Sequence, residues 1–220
     1  MITDILPPAV AAEDTFTDHE VELFPEEERL VANAVDKRRR EFTTGRHCAR
    51  TALGRLGVAP APLLPGERRA PVWPEGVVGS ITHCAGYRAA AVGLTSEIRT
   101  IGIDAEPNEP TPPGVLGAIA LPPELAMVSR LGAAGNKVAW DRLLFSAKET
   151  VYKAWFPLTR LWLGFEEAEL TINPDDCTFS ARILVEPPVV DGAPLTGFTG
   201  RWLVREGFVV TAIAVPALTT

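Results

Sequence analysis

A segment rich in proline interrupts the chain near its middle and divides it into two halves. The sequence PNEPTPPG, at Pro107–Gly114, holds four prolines and one glycine. Proline lacks a backbone N–H and fixes φ, so neither a regular helix nor a central strand can run through such a segment. We therefore predict an N-terminal half at residues 1–106 and a C-terminal half at residues 107–220.

The N-terminal half is predicted to begin with helix and to continue with strands. A helix that starts at Pro25 runs to Leu56, with a break near Thr43–Gly45, and Gly57 is its predicted C-cap. Alternating apolar residues then predict three short strands. These strands cover Val77–Thr82, Arg88–Leu94 and Arg99–Glu106.

The C-terminal half is predicted to repeat this order. A short helix covers Pro122–Leu131, and Asn136 is a suitable N-cap for a long helix that Pro157 would stop after Phe156. The sequence REG at Arg205–Gly207 suggests a hairpin turn. Predicted strands cover Ala168–Ile172, Thr178–Val185, Gly200–Val204 and Phe208–Val215. Because few helices cross between strands, we predict an α+β fold of two pseudo-symmetric halves, each a small antiparallel sheet packed with a long helix.

Charge and cysteine usage narrow the class of partner. The net charge of −7 argues against a general affinity for nucleic acid or for an anionic membrane surface. The N-terminal sequence is a poor signal peptide, and no apolar run approaches the length of a membrane helix. Cys48, Cys84 and Cys177 have no metal-type spacing and are interpreted as reduced thiols. We therefore predict a cytoplasmic protein without a nucleic-acid or membrane partner.

Two carboxylates in the sequence IGIDAE are predicted to share one face of a strand. Asp104 and Glu106 are two residues apart, so their like charges would repel unless a cation lies between them. Mg²⁺ prefers such oxygen ligands, and Glu149 offers a third. Lys153 follows Glu149 by one helical turn, and a metal with a lysine suits phosphate chemistry. The alternative interpretation is a pair of exposed acids and an ordinary surface ion pair.

Two further motifs could contact phosphate. In GSITHCAG, at Gly79–Gly86, Thr82 and His83 are flanked by glycines, although a histidine in such a position can instead cap a loop carbonyl. A basic block in an otherwise acidic chain fits a compact polyphosphate, although such a run is commonly a solvated helix face. The block comprises Lys37, Arg38, Arg39, Arg40, Arg46 and Arg50.

These segments, in this order, resemble the 4′-phosphopantetheinyl transferase superfamily of the surfactin-synthetase-activating and enterobactin type. The strongest match is FSAKETVYKAWFPLT at Phe145–Thr159, which is similar to the W/F-S-x-K-E-x-x-x-K helix of that family. IGIDAE, GSITHCAG and TGRHCARTALGRLG match its other motifs, and the resemblance spans about residues 25–215. The sequences RHCAR and THCAGY look closest to the actinobacterial members.

The resemblance implies a reaction and a ligand. It implies that coenzyme A binds in a cleft between the two halves. The internal pseudo-repeat, rather than the resemblance, predicts a monomer. The resemblance implies transfer of 4′-phosphopantetheine to a serine of apo acyl or peptidyl carrier proteins, with release of 3′,5′-adenosine diphosphate. The implied metal is Mg²⁺, with Mn²⁺ as an alternative.

The resemblance also implies roles for individual residues. Asp104, Glu106 and Glu149 would be metal ligands, and Glu149 is also a candidate base for the serine proton. Phosphate contacts are implied for Lys148, Lys153, Thr82 and His83, and 3′-phosphate contacts for Arg46 and Arg38. Close relatives often have a lysine where this chain has Pro65, and Arg68 is the candidate that replaces its charge.

Carrier proteins tend to be acidic, so docking on this acidic chain should use a local basic and apolar patch. Candidates for its apolar part, which could equally be core residues, are Trp155, Phe156, Leu161 and Trp162. Two other functional classes stay open at the sequence level. One is a Mg²⁺-dependent hydrolase of nucleotide pyrophosphates, and the other is a non-catalytic module that binds coenzyme A or a carrier protein.

Overall fold

The described residues fold around two large antiparallel sheets, each packed against a helix of 20 residues, and a separate two-stranded hairpin completes the strands. The computed structural model describes residues 1–135 and 137–218. Its α-helices are α1 (Pro25–Val31), α2 (Asp36–Arg55), α3 (Val115–Ile119), α4 (Pro122–Ala134) and α5 (Trp140–Thr159). Its strands are β1 (Ala11–Thr15), β2 (Val77–Cys84), β3 (Tyr87–Leu94), β4 (Ile98–Pro107), β5 (Ala168–Asn173), β6 (Thr178–Ile183), β7 (Val189–Val190), β8 (Ala193–Pro194), β9 (Gly197–Arg205) and β10 (Phe208–Pro216). The predicted α+β class with antiparallel sheets is confirmed.

The two larger sheets divide unequally between the halves. One has three strands in the order β1-β3-β2, and the other has five in the order β4-β10-β9-β6-β5. Helix α2 packs against β1 and β3, whereas α5 packs against β4 and β10. Strand β4 pairs with β10 along its length, with Asp104 opposite Thr211. The predicted division after residue 106 therefore falls at the end of a strand that hydrogen-bonds into the C-terminal sheet.

Side chains of β2 connect the two sheets. The hydroxyl of Ser80 accepts the amide N–H of Ile103 at 3.1 Å, and that of Thr82 accepts the N–H of Ala105 at 3.2 Å. Residues two apart on a strand share a face, so Ser80 and Thr82 both reach the free edge of β4. The GSITHC sequence thus places hydroxyl groups where a further strand would have supplied carbonyls.

The apolar core follows the same division. One cluster lies between α5 and the five-stranded sheet and includes Trp155 and Phe179. A second lies between the sheets and includes Ile101, Ile103 and Tyr87. A third lies under α2. In the described residues, no helix is both long and apolar enough to cross a membrane.

Several predicted boundaries require correction. The predicted break at Thr43–Gly45 is wrong, because these residues lie buried within α2 and packing outweighs their low helix propensity. The helical sequence is instead interrupted between Val31 and Asp36. Pro157 does not stop α5 after Phe156, because the helix continues to Thr159 and its C-cap is Arg160, in a left-handed conformation with φ of 58°. The predicted N-cap Asn136 lies outside the described residues, and α5 begins at Trp140.

Two predicted turns are confirmed. Gly57 follows α2 with φ of 73°, and the N–H of Val58 bonds to the carbonyl of Leu53. Glu206 and Gly207 join β9 to β10 with φ values of 53° and 80°, as a two-residue hairpin turn requires. Strand β1 and the small β7–β8 hairpin were not predicted.

Candidate active site

Helix α5 lies along β4 in a regular register. Four residues of a helix advance about 6 Å and two residues of a strand about 6.6 Å, so every fourth helix residue meets every second strand residue. The facing pairs are Arg142 with Glu106, Ser146 with Asp104, Thr150 with Gly102 and Ala154 with Thr100. Asp104 and Glu106 therefore share one face of β4, as the sequence predicted, and both point toward α5.

Gly102 permits the close approach of α5 to β4. A Cβ atom at this position would lie 2.2 Å from the carbonyl oxygen of Thr150 and 2.9 Å from the amide nitrogen of Ala154. No larger residue fits without moving the helix. The glycine two residues before Asp104 thus sets the distance between the strand acids and the side chains of α5.

The Asp104 carboxylate is the most fully bonded group of the site. It is 5 % exposed and accepts hydrogen bonds from Lys153 Nζ at 2.7 Å, Ser146 Oγ at 2.8 Å and Thr82 Oγ1 at 3.2 Å. Lys153 also donates to the Ile103 carbonyl at 3.1 Å. Hydrogen bonds to a charged group are stronger than neutral ones, so Asp104 is held in a fixed position. Its bonds connect β2 and β4 of the N-terminal half to α5 of the C-terminal half.

Two glutamates near Asp104 carry charge that is poorly compensated. Burial, and then the negative charge of Asp104, raise the pKa of Glu149 above its ordinary value. The same two causes raise the pKa of Glu106, although Arg142 lies 3.1 Å from it and opposes the shift. These couplings show three carboxylates within one electrostatic environment.

The three carboxylates do not form a ready-made metal cage. Among the described residues, no three His, Cys, Asp or Glu side chains form a group that could hold a metal ion. Two cations of the chain partly neutralise these carboxylates, because Lys153 pairs with Asp104 and Arg142 with Glu106. The donor set is nevertheless all carboxylate oxygen with excess negative charge, which suits a hard cation such as Mg²⁺.

A cleft of about 790 Å³ opens beside this cluster and runs between the two halves. Its walls come from α2, β2, the start of β4, α5 and the loop between Pro65 and Trp73. Glu149 and Lys153 line it from α5, one helical turn apart. Tyr152 also lines the cleft, and its hydroxyl is buried without a hydrogen-bond partner among the described residues. Buried polar groups are normally bonded, so this hydroxyl is an exception within the wall.

The wall of the cleft that α2 supplies is basic. Arg46 is 8 % exposed, and its Nε and Nη2 atoms donate to the Leu63 carbonyl at 3.1 and 2.8 Å. Burial lowers its pKa to about 10, so the guanidinium stays charged at neutral pH. Arg38 Nη1 lies 3.1 Å from His83 Nε2, and the opposite ring nitrogen lies 3.7 Å from Glu41. Burial lowers the pKa of His83, which favours the neutral ring that accepts from Arg38.

The loop that contains Pro65 supplies further positive charge. Arg68 and Arg69 have φ values of 49° and 65°, a left-handed conformation that is unusual for residues other than glycine. The guanidinium of Arg68 lies over the ring of Trp162 at 5.2 Å and lines the cleft. Arg68 therefore lies in the cleft wall, and its replacement of the charge missing at Pro65 stays a prediction.

Two predicted phosphate contacts are not supported by the geometry. Lys148 is 3 % exposed and does not line the cleft, because its ammonium pairs with Glu124 at 3.0 Å and donates to two backbone carbonyls. Thr82 is 2 % exposed, and its hydroxyl is shared between Asp104 and the Ala105 amide. Lys148 therefore stabilises the C-terminal half, and Thr82 holds Asp104 in place.

The four candidate apolar docking residues separate into two pairs. Trp155 and Phe156 are buried, and the indole of Trp155 donates to the Leu161 carbonyl at 3.0 Å. Leu161 and Trp162 are 52 % and 61 % exposed. The exposed pair remains a candidate surface, whereas the buried pair packs in the interior.

Sequence reasoning missed some residues that the fold brings to the site. Ser146 and Arg142 precede Glu149 at helical spacing, and that spacing alone could have placed them opposite Asp104 and Glu106. Tyr152 adjoins Lys153 in the sequence, but its orphaned hydroxyl is visible only in three dimensions. Arg99 also lines the cleft, and its Nε is buried without a partner among the described residues. Its place there likewise depends on the tertiary fold and not on a local pattern.

Comparisons with known proteins show the family of the chain. The model of the 4′-phosphopantetheinyl transferase N-terminal domain matches residues 26–93, and that of the 4′-phosphopantetheinyl transferase superfamily matches residues 100–189. The chain is 57 % identical to 4′-phosphopantetheinyl transferase Svp of Streptomyces mobaraensis, over 99 % of this chain and 90 % of that protein.

Two further relatives come from other genera. The chain is 54 % identical to 4′-phosphopantetheinyl transferase PptT of Mycobacterium tuberculosis, over 86 % of this chain and 84 % of the relative. It is 50 % identical to 4′-phosphopantetheinyl transferase Npt of Nocardia iowensis, over 97 % and 99 %. The resemblance drawn from the motifs is confirmed, and the chain belongs to the 4′-phosphopantetheinyl transferase superfamily of transferases.

Proposed function

We propose that this chain transfers 4′-phosphopantetheine from coenzyme A to a serine hydroxyl of apo acyl or peptidyl carrier proteins. The observation that carries the proposal is that Lys153 and Glu149 of α5 line the same cleft as Arg38 and Arg46 of α2. A pyrophosphate bound between these groups would have its reacting phosphorus near Lys153 and its nucleotide phosphate near the arginines.

The attacking group is proposed to come from the partner protein. Cys84 is the nearest thiol to His83 in sequence, but burial raises its pKa to about 12, so it is a poor nucleophile at neutral pH. The serine oxygen of the carrier attacks the β-phosphorus, and the bond from that phosphorus to the bridging oxygen breaks. The products are the holo carrier and 3′,5′-adenosine diphosphate.

Glu149 is the candidate acceptor of the serine proton. Its carboxylate lines the cleft one helical turn from Lys153, where a base for the serine proton is required. The proton moves to a Glu149 oxygen directly or through one water. Lys153, one turn further along α5, stabilises the negative charge that develops on the bridging oxygen.

Asp104, Glu106 and Glu149 would hold Mg²⁺, or Mn²⁺ as an alternative, and the metal would screen the charge of the pyrophosphate. Support comes from the raised pKa values of Glu106 and Glu149, because a dication would compensate their charge. Lys153 is proposed to exchange Asp104 for a phosphate oxygen when coenzyme A binds. Its side chain is 27 % exposed, which leaves it room to do so.

The remaining contacts orient the substrate. Arg46 is proposed to bind the 3′-phosphate, because Nη1 makes no hydrogen bond to the described residues while Nε and Nη2 anchor the side chain. His83, Arg38 and Arg68 line the same cleft and are proposed to complete the phosphate contacts. The Tyr152 hydroxyl is suited to a polar group of the pantetheine arm.

We further infer that the protein acts as a monomer in the cytoplasm. The thiols of Cys48, Cys84 and Cys177 are free, and the first two are buried, as expected of a protein kept in a reducing compartment. Leu161 and Trp162, with Arg68 beside them, are proposed as the basic and apolar patch on which an acidic carrier docks.

The test is intact-mass analysis of an apo carrier protein and of its Ser→Ala variant, each incubated with this chain, coenzyme A and Mg²⁺. The unmodified carrier should gain one phosphopantetheine and the variant none. Coenzyme A cleavage at the same rate without any carrier would support a hydrolase instead. Tight coenzyme A binding without cleavage, across several carriers, would support a non-catalytic module.

A further inference from the structure

Two fully buried glutamates lie outside the catalytic cluster and occupy matching places in the two halves. Glu27 in α1 and Glu124 in α4 are both 0 % exposed. Each is the third residue of a short helix that begins with proline. Each caps its own helix, since the amide of Phe24 donates to Glu27 at 3.1 Å and that of Leu121 donates to Glu124 at 2.7 Å.

The second carboxylate oxygen of each glutamate binds the segment that follows the long helix of its half. The amide of Leu63, after α2, donates to Glu27 at 2.9 Å. The amide of Leu170, after α5, donates to Glu124 at 2.7 Å. Capping alone would use only one oxygen, so both glutamates also fix a second segment of the chain.

A cation from the long helix completes each arrangement. Glu124 pairs with Lys148 of α5 at 3.0 Å, and Lys148 donates to the carbonyls of Phe165 and Ala168. Glu27 pairs with Arg50 of α2, and its other oxygen lies 3.8 Å from Nε of Arg46. Arg46 in turn donates twice to the carbonyl of Leu63, whose amide Glu27 holds. We call each set of contacts a carboxylate clamp.

The Glu27 clamp contains two cations, Arg50 and Arg46, and the second of these distinguishes it from the Glu124 clamp. Lys148 is enclosed in the C-terminal half and does not line the cleft, whereas Arg46 forms part of the cleft wall. Arg46 also packs over the ring of Phe42 at 4.1 Å, so contacts fix its guanidinium from two directions. The Glu27 clamp therefore ends in a group that a ligand can reach, and the Glu124 clamp does not.

We propose that Glu27 is a positioning residue for substrate binding: it fixes Leu63, and through the Leu63 carbonyl it holds the Arg46 guanidinium toward the cleft. Its negative charge also offsets the repulsion among Arg38, Arg46 and Arg50, which stand close enough to lower the pKa of Arg46. Glu124 fixes the Leu170 segment in the same way, but the cation that it holds does not line the cleft. The positioning role of Glu27 is separate from the transfer reaction, and it rests on the proposed function only in that coenzyme A is the anionic ligand that Arg46 binds.

The test compares Glu27→Gln with its matched control Glu124→Gln. Glutamine also caps a helix at this position, so each variant keeps the cap and loses the charge and one acceptor. Glu27→Gln should raise KM for coenzyme A about tenfold with kcat within about twofold, as expected for one weakened charged hydrogen bond. Glu124→Gln should leave KM within about twofold, whatever its melting temperature.

A double variant shows whether the effect passes through Arg46. In an Arg46→Ala background, Glu27→Gln should change KM by less than about twofold, because the group it positions is gone. Equal KM changes in the two glutamine variants, or full additivity with Arg46→Ala, would overturn the proposal. If Glu27→Gln does not fold, Glu27→Asp and Glu124→Asp replace the pair with the same criteria. If the wild type binds coenzyme A without transferring it, the Kd for coenzyme A is measured by calorimetry on the same variants in place of KM. Failure of the proposed transfer activity is then distinguished from failure of the positioning role of Glu27.

Discussion

Replacing Gly102 by alanine is expected to move α5 away from β4 and to remove activity out of proportion to the loss of stability. The added Cβ would lie 2.2 Å from the Thr150 carbonyl oxygen. Atoms in normal contact lie about 3.5 Å apart, so the helix must move by about 1 Å. Overpacking of this kind costs about 1–3 kcal/mol in the free energy of unfolding.

The same displacement acts on the site. Glu149 and Lys153 are carried by the displaced helix, and Lys153 lies 2.7 Å from Asp104 on the strand that stays. A misplacement of about 1 Å in a catalytic arrangement can lower the rate by about 100-fold. We therefore expect kcat to fall by about 100-fold in Gly102→Ala, while the melting temperature falls by about 2–4 °C per kcal/mol lost.

Gly132→Ala is the matched control. Gly132 lies in α4, and a Cβ there would meet nothing within 4 Å. Alanine favours a helix over glycine by about 0.5–1 kcal/mol, so the melting temperature should stay the same or rise, with unchanged turnover. Thermal unfolding and transfer kinetics are measured on both variants. Equal melting temperature and kcat in Gly102→Ala and Gly132→Ala would refute the packing argument.

Three further outcomes follow from the charges of the site. Because burial and Asp104 raise the pKa of Glu149, its ionised form destabilises the fold, increasingly as pH rises above 4.5. Glu149→Gln should therefore have a higher melting temperature than the wild type at pH 7, and the difference should shrink toward pH 4.5. The variant should also lack transfer activity. A melting temperature below that of the wild type at pH 7 would contradict this prediction. Arg46→Ala should lose most of the preference for coenzyme A over dephospho-coenzyme A, about 1.5–3 kcal/mol by competitive binding, and an unchanged preference would place the 3′-phosphate elsewhere. Lys153→Met should lower kcat about 100-fold while the Kd for coenzyme A stays within about fivefold, and a loss seen only in Kd would assign Lys153 to ground-state binding.

The sequence predicts much of this fold because local patterns agree with packing. The proline at Pro25, the glycine at Gly57 and the REG turn each act within a few residues, so their signals survive in the sequence. The break predicted at Thr43–Gly45 fails for the opposite reason, because buried packing of α2 outweighs local propensity. Helix α5 ends two residues beyond Pro157 rather than before it, since the missing N–H of Pro157 removes one hydrogen bond and the helix closes at Thr159.

The sequence predicts the site residues that follow the period of a strand or a helix. It does not predict the residues whose role depends on contacts with distant segments of the chain. Asp104 and Glu106 follow the strand period, and Glu149 and Lys153 the helix period, so both pairs fall on the expected faces. The enclosure of Lys148 depends on Glu124, 24 positions earlier, and nothing local in KETVYK reveals it. Thr82 likewise turns from a phosphate ligand into a support for Asp104 only when β2 meets β4.

The most direct measurement of the central claim is the stoichiometry of one reaction that contains this chain, coenzyme A, Mg²⁺ and an apo carrier. Holo carrier is counted by intact mass, and 3′,5′-adenosine diphosphate is counted by chromatography in the same sample. Equal amounts of the two products are expected at every time point, and neither product is expected from Asp104→Asn. Nucleotide in excess of holo carrier, or continued transfer by Asp104→Asn, would contradict the central claim.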